Sequence, residues 1–252
     1  MEMWFSEFHT PDVKHSIRVN RQLYSKQSDY QRIDIFETPE FGRVLTLDGN
    51  VMLTERDEFI YDEMITHVPM AIHKEAKDIL VIGAGDGGVV RELTRYDRVS
   101  HIDLVEMDPM VVEACRAYLP GNACRLDDRR VHLHYENALK YIRRCENKYD
   151  LIIVDSSDPF GPSEGLFTRE FYGNCYNALR RMESWLISRE VLFIPRMRMP
   201  CSAVTKELPV LSRSAVFTRL IFLPLLPATG CLVLQAKSTI RWMIWIRRHG
   251  TP

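Results

Sequence analysis

The spacing of apolar positions changes near residue 57. Before it, apolar and polar residues alternate, as with Tyr30, Ile33 and Ile35. Glu40-Phe41-Gly42-Arg43 reads as a turn, Val44-Leu45-Thr46-Leu47 follows it, and Asp48-Gly49-Asn50 is a strong hairpin signal before Val51-Met52-Leu53. This predicts a small antiparallel β unit over residues 1–56. Next, Phe59, Ile60, Met64, Ile65 and Val68 recur at helical spacing and predict a helix over 57–73, with Thr54 or Asp57 as its cap.

From residue 78 the pattern is strand–helix alternation. Apolar strands are expected at 79–82, 101–105, 131–134 and 151–154. The helices that follow them are expected over about 87–96, to about 118, to about 144 and over about 168–180. Such alternation implies a parallel sheet. The fold class is therefore α/β: a small N-terminal antiparallel β domain (1–56), then a Rossmann-like parallel-sheet domain (57–179).

Composition narrows the function classes. The chain has 252 residues, 46% hydrophobic and 27% charged, with a formal net charge of −1. No basic field argues for nucleic acid or an anionic membrane as partner. The six cysteines include no C-x-x-C pair, so reduced cytosolic thiols are expected in place of zinc or disulfides. The N-terminus is polar, with Glu2 and Glu7, unlike a signal peptide. The longest apolar run, 220–226, contains Pro224 and is too short to span a bilayer. A cytoplasmic protein is expected.

Candidate chemistry lies where the predicted strands end, the edge at which open α/β sheets bind ligands. The first strand runs into Gly83-Ala84-Gly85-Asp86-Gly87-Gly88, a glycine turn that brings a ligand close to a helix N-terminus. Asp86 inside that turn would repel a phosphate, so an adenosine-type ligand carrying positive charge is expected. Glu106 ends the second strand about 20 residues on, the offset at which an acid takes ribose hydroxyls. Asn137 follows the third strand. Asp155-Ser156-Ser157-Asp158-Pro159 follows the fourth. Asp155 and Asp158 are suited to acid–base work, to metal binding or to holding a cation, and metal is the least favoured because no clustered His or third acid has ligand spacing. No G-x-S-x-G elbow or Cys/Ser–His pairing supports covalent catalysis. An acidic cleft of this kind suits an amine that must lose a proton before it attacks.

The glycine turn, Glu106, Asp155-Ser156-Ser157-Asp158-Pro159 and Gly161-Pro162 resemble the polyamine aminopropyltransferases, and among them the spermidine synthases most closely. So do Tyr30-Gln31, Leu47-Asp48-Gly49 and Glu55-Arg56-Asp57-Glu58-Phe59 with Tyr61. The resemblance covers about residues 3–179 and implies a methyltransferase-type Rossmann-like domain. It implies transfer of an aminopropyl group from decarboxylated S-adenosylmethionine, a co-substrate, to putrescine. No cofactor and no metal are implied. It assigns Asp155 as the base, Gln31, Asp86, Glu106, Asn137, Gly83 and Gly85 to the donor, and Tyr61, Asp62 and Asp158 to the diamine. A homodimer or homotetramer is implied as well. Two positions depart from the family. Asn137 stands where Asp usually meets the adenine amino group, and its oxygen is expected to accept that bond still. Asp62 stands where His or Gln is usual.

After Leu179 the resemblance stops. Reading the third base of each codon with the first two of the next turns 181–188 into DGILVNQ. Residues 203–211 with their neighbours allow AMQRSHKRIASSFP, 220–228 allow YIPTFPSG, and 228–237 allow YWLFGFASK. These match the strand, helix, loop and hairpin the family has there, in order and in one frame. Residues 180–252 are therefore expected to be an out-of-frame segment that leaves the strand of Asp155 at a sheet edge. The rival readings are an S-adenosylmethionine-dependent methyltransferase and a catalytically dead frameshift product.

Overall fold

The computed structural model describes residues 2–156 and 161–180, with the backbone of two short strands beyond. Strands β1 (Met3–Thr10) and β2 (Val13–Val19) form an antiparallel hairpin. Strands β3 (Arg21–Gln27), β4 (Arg32–Thr38), β5 (Gly42–Leu47) and β6 (Asn50–Thr54) form an antiparallel sheet in chain order. Leu47 pairs with Asn50, so Asp48 and Gly49 alone make the turn, at φ 49° and 79°. Two left-handed residues match the twist of the flanking strands, and Asp and Gly tolerate that conformation. Asp48 Oδ1 also accepts the Arg32 N–H at 2.7 Å, which fixes where β4 begins. Tyr30 falls outside the expected alternation: it lies in the turn before β4 and is exposed.

Helix α1 (Glu58–Ile72) matches the expected helix, but neither Thr54 nor Asp57 caps it. The Thr54 hydroxyl donates to Asp57 Oδ1 instead, at 2.5 Å. The alternating unit follows as β7 (Asp78–Gly83), α2 (Gly88–Leu93), β8 (His101–Glu106), α3 (Pro109–Tyr118), α4 (Pro120–Ala123), β9 (Val131–Tyr135), α5 (Ala138–Arg143) and β10 (Leu151–Asp155). A 3₁₀ helix (Gly161–Phe167), α6 (Arg169–Ala178), β11 (Trp185–Ser188) and β12 (Ile194–Pro195) complete the described elements. Helix α2 is shorter than its periodicity suggests. The Arg95 and Tyr96 N–H groups bond three residues back, to Glu92 and Leu93, and this tighter turn ends the helix.

The second sheet has the order β12-β11-β10-β7-β8-β9, parallel except for the β11–β12 pair. The chain builds outward from β7 through β8 to β9, then returns to place β10 on β7's other side. The crevice between the ends of β7 and β10 is therefore the switch point where such sheets bind ligands. Strand β10 is not an edge, contrary to expectation: the backbone of β11 lies beside it in parallel, Leu151 opposite Trp185. Trp185-Leu186-Ile187 offers apolar, β-favouring residues at that point.

Alternate residues of β7 feed two cores. Ile79 and Val81 join Ile33, Ile35 and Leu45 of the N-terminal sheet together with Leu104 and Val112. Leu80 and Ile82 join Val105, Ile152, Val154 and Phe171. All four β7 residues are essentially unexposed, each contributing about 1.5–3 kcal/mol by burial. Beside the second core, buried Asp103 of β8 lies 2.7 Å from His134 Nε2 and accepts from Lys148 Nζ at 2.8 Å and the Tyr149 hydroxyl at 2.7 Å.

Candidate active site

Two strand ends and a helix meet at the switch point. Gly83 and Asp155 are register partners. The Ala84 N–H donates to the Asp155 carbonyl at 3.1 Å. Gly83 has φ +80°, and a Cβ there would lie 1.9 Å from that carbonyl, so only glycine lets β7 turn beside β10. The Asp155 carboxylate accepts from the Tyr61 hydroxyl of α1 at 2.7 Å.

Asp86 in the turn accepts the Gly88 N–H at 2.8 Å, through Oδ1. Burial pushes its carboxyl above the usual range, against the lowering effect of the backbone N–H groups it accepts. Glu106 ends β8 and accepts the Asp108 N–H at 2.9 Å. Gly85 makes room for it: a Cβ there would lie 2.7 Å from Glu106 Oε2. Burial, with Asp108 and Asp86 nearby, pushes Glu106 up to about 7. Asp62 of α1 is buried and is also pushed well up, by burial first and then by Asp86, Glu58 and Asp155. The crevice thus gathers carboxyls that resist ionising together. A ligand bearing positive charge relieves that resistance, whereas a phosphate aggravates it.

Gln31 lies just before β4 and reaches the same side. Its Nε2 donates to Asp108 Oδ2 at 3.2 Å, and the Ser28 hydroxyl donates to that oxygen at 2.6 Å. Asn137 needs a correction. Its Oδ1 caps α5, accepting the Leu139 and Lys140 N–H groups at 2.9 and 3.3 Å, while Nδ2 lies 3.9 Å from the Met107 sulfur. The oxygen expected to accept from an amino group is committed to the helix. What Asn137 offers is a donor, which suits a ring nitrogen. Asp158 lies outside the described residues, as does nearly all of the expected out-of-frame segment.

Sequence reasoning missed the bridge between α1 and α2. Arg91 donates through both terminal nitrogens to Glu58, at 3.0 and 2.9 Å, and through Nε to Glu92 at 2.9 Å. It also missed Asp108 as the tie between Gln31 and α3, although Asp108-Pro109 carries the cap-then-proline signature of a helix start. Among the described residues one group has metal-ligand spacing: Glu63, His67 and Glu92. Glu92 there is already engaged by Arg91 and Arg95, so its charge is balanced.

A doubly covered parallel sheet with a glycine turn and an acidic switch point defines a methyltransferase-type α/β protein. Residues 58–184 match the spermine/spermidine synthase domain, and residues 3–55 match the spermidine synthase tetramerisation domain. The chain belongs to the spermine/spermidine synthase family. It is 62% identical over 180 residues to a polyamine aminopropyltransferase of Alkaliphilus oremlandii, covering 71% of this chain and 63% of that protein. It is 64% identical over 179 residues to one of Clostridium botulinum, with the same coverage. A spermidine synthase solved in complex with the transition-state analogue AdoDATO superposes with a TM-score of 0.73 at 45% identity, covering 75% of this chain and 65% of that one. The Thermotoga maritima spermidine synthase does so at 0.71 and 44%, covering 75% and 64%. The chain thus spans about 63% of the length of the curated relatives it matches.

Proposed function

We propose that this chain encodes transfer of an aminopropyl group from decarboxylated S-adenosylmethionine to putrescine, giving spermidine and methylthioadenosine. The observation that carries this reading is Asp155: a carboxylate at the switch point, held by Tyr61, facing a cleft of acids that favours cations. Glu106 takes the ribose hydroxyls, Asp86 and Gln31 the aminopropyl end, and Gly83 and Gly85 the close approach of the donor. Tyr61, Asp62 and Asp158 line the diamine side. Asp155 accepts a proton from the attacking ammonium. The freed nitrogen attacks the carbon next to the sulfonium, a C–N bond forms, and the C–S bond breaks with its electron pair going to sulfur. Orientation and proton removal are the protein's contributions, since the sulfonium is already a good leaving group.

The same reading covers the rest of the chain. Residues from about 180 arise from a shifted frame, so the purified chain turns over slowly or not at all beside a frame-corrected version. The nucleotide sequence near codons 178–181 tests this, and stop codons closing the shifted frame sink it. Assembly as a homodimer or homotetramer runs through the β1–β2 hairpin, where Met3, Trp4, Phe8 and Val13 are exposed. No helix among the described residues is long and apolar enough to cross a membrane, and a cytoplasmic site fits the free thiols of Cys115, Cys124, Cys145 and Cys175. The deciding assay supplies the frame-corrected protein with putrescine and either donor, carboxylated or decarboxylated. Spermidine formed only from the decarboxylated donor, and lost in Asp155→Asn, is the expected result. Methyl transfer from the carboxylated donor overturns it.

A further inference from the structure

Asp62 is a buried acid whose cationic neighbour, Arg91, already pairs with Glu58 and Glu92. Asp62 is 4% exposed, and its Oδ2 makes no hydrogen bond among the described residues. The Arg91 Nη2 nitrogen is 3.8 Å away, beyond hydrogen-bond distance, and already donates to Glu58 at 2.9 Å. The remaining charged neighbours are all acids: Glu58 one turn back on α1, Asp86 from the turn before α2, and Asp155 from the end of β10. Backbone closes another side. Gly88 approaches so nearly that a Cβ there would lie 1.8 Å from Oδ2. A carboxyl with one oxygen unbonded, surrounded by acids and shut off from water, is far less costly neutral than charged.

We propose that Asp62 holds a proton in the empty cleft and releases it when a cationic ligand enters, so that the cleft exchanges a proton for a positive charge. The Asp62 O–H bond breaks, the proton leaves to solvent, and the carboxylate left behind becomes a counter-ion for the ligand. This rests on the aminopropyl-transfer reading, in which donor and diamine are both cations, and it makes Asp62 a specificity-determining residue. A neutral ligand meets an uncharged wall at Asp62, whereas a cation converts that wall into a partner. Burial supports the direction, since Asp62 is pushed well above the ordinary carboxylate range.

Proton release by the full chain is measured calorimetrically at neutral pH, in two buffers of different ionisation heat. Decarboxylated S-adenosylmethionine is the cationic probe and methylthioadenosine the uncharged control. Both meet Glu106 through the ribose, so the informative quantity is the excess. The donor is expected to release about one proton more than the control, and Asp62→Asn to remove that excess. Infrared spectra of the unliganded proteins supply a readout free of ligand. The wild-type chain shows protonated-carboxyl absorption beyond that of Asp62→Asn, and the donor removes this added band where methylthioadenosine does not. An excess unchanged in the variant, or no band lost, overturns the exchange and leaves the transfer reading standing. Absence of binding heat with both ligands, in this chain and in its frame-corrected version alike, sinks the transfer reading itself, and the exchange with it.

Discussion

Glu106 is held where folding and binding make opposite demands. Its carboxyl is pushed up from 4.5 to about 7, because burial and neighbouring acids disfavour its charge. The folded chain therefore keeps a proton that the unfolded chain loses. The stability this proton contributes is complete below the unfolded value and declines as pH rises toward the folded one. Glu106→Gln carries no such penalty. Its melting temperature should match wild type near about pH 4 and exceed it by several degrees near about pH 8, as calorimetry would show. The variant should bind donor more weakly, since an amide accepts fewer bonds from ribose hydroxyls than a carboxylate. Asn137 leads to the reverse expectation. Asp caps a helix as well as Asn does, and its second oxygen adds the acceptor that Nδ2 cannot supply. Asn137→Asp should leave thermal stability within about 0.5 kcal/mol and tighten methylthioadenosine up to about tenfold by titration. Asp86, Glu106 and Asp155 were legible in the sequence because each ends or follows an apolar strand. The orientation of Asn137 was not, because it depends on which side-chain atom the first turn of α5 takes.

At the scale of elements, the meeting of α1 and α2 determines the shape of the acidic crevice. Helix α2 has no side chain at Gly88, and Asp62 occupies that space. Gly88→Ala would drive a methyl group into the carboxyl, so Asp62 must move toward Glu58 or Asp155. A cost of about 1–3 kcal/mol in denaturant unfolding is expected, with a larger proportional loss in donor affinity than in stability. A donor affinity equal to wild type would show that Asp62 does not border the ligand. The strands and most helices followed from periodicity. The early end of α2 did not, because apolar spacing continues to Tyr96 while hydrogen bonding has already tightened after Leu93. The bridge from Arg91 to Glu58 was equally hidden, since it joins residues on two helices whose packing no local pattern specifies.

In the whole molecule, the change of period near residue 57 marks a change of architecture but not a break in the core. Ile33, Ile35 and Leu45 pack in the same cluster as Ile79 and Val81, so the N-terminal sheet shares its interior with the parallel-sheet unit. Across the sheet, Asp103 secures β8 to the segment before β10. Its carboxyl is held well below the usual range, above all by Lys148, Tyr149 and His134, although burial acts the other way. A lowered folded value means that its contribution is present above the ordinary carboxylate range and is lost as pH falls below it. Asp103→Asn should cost about 3 kcal/mol near neutrality and flatten the acid limb of the unfolding curve, as titration followed by circular dichroism would show.

The pairing of Gly83 with Asp155 has a consequence for how the chemistry keeps its aim. A strand turns its side chains over with each residue, so a slip of β10 by one place would swing the proposed base to the far side of the sheet. The hydrogen-bond ladder between β7 and β10 is in effect a ruler graduated in whole residues. Placement of the base is therefore all or nothing. Damage at the far end of the sheet should show itself as a smaller fraction of competent molecules, each working at full speed, and not as a uniformly slower population.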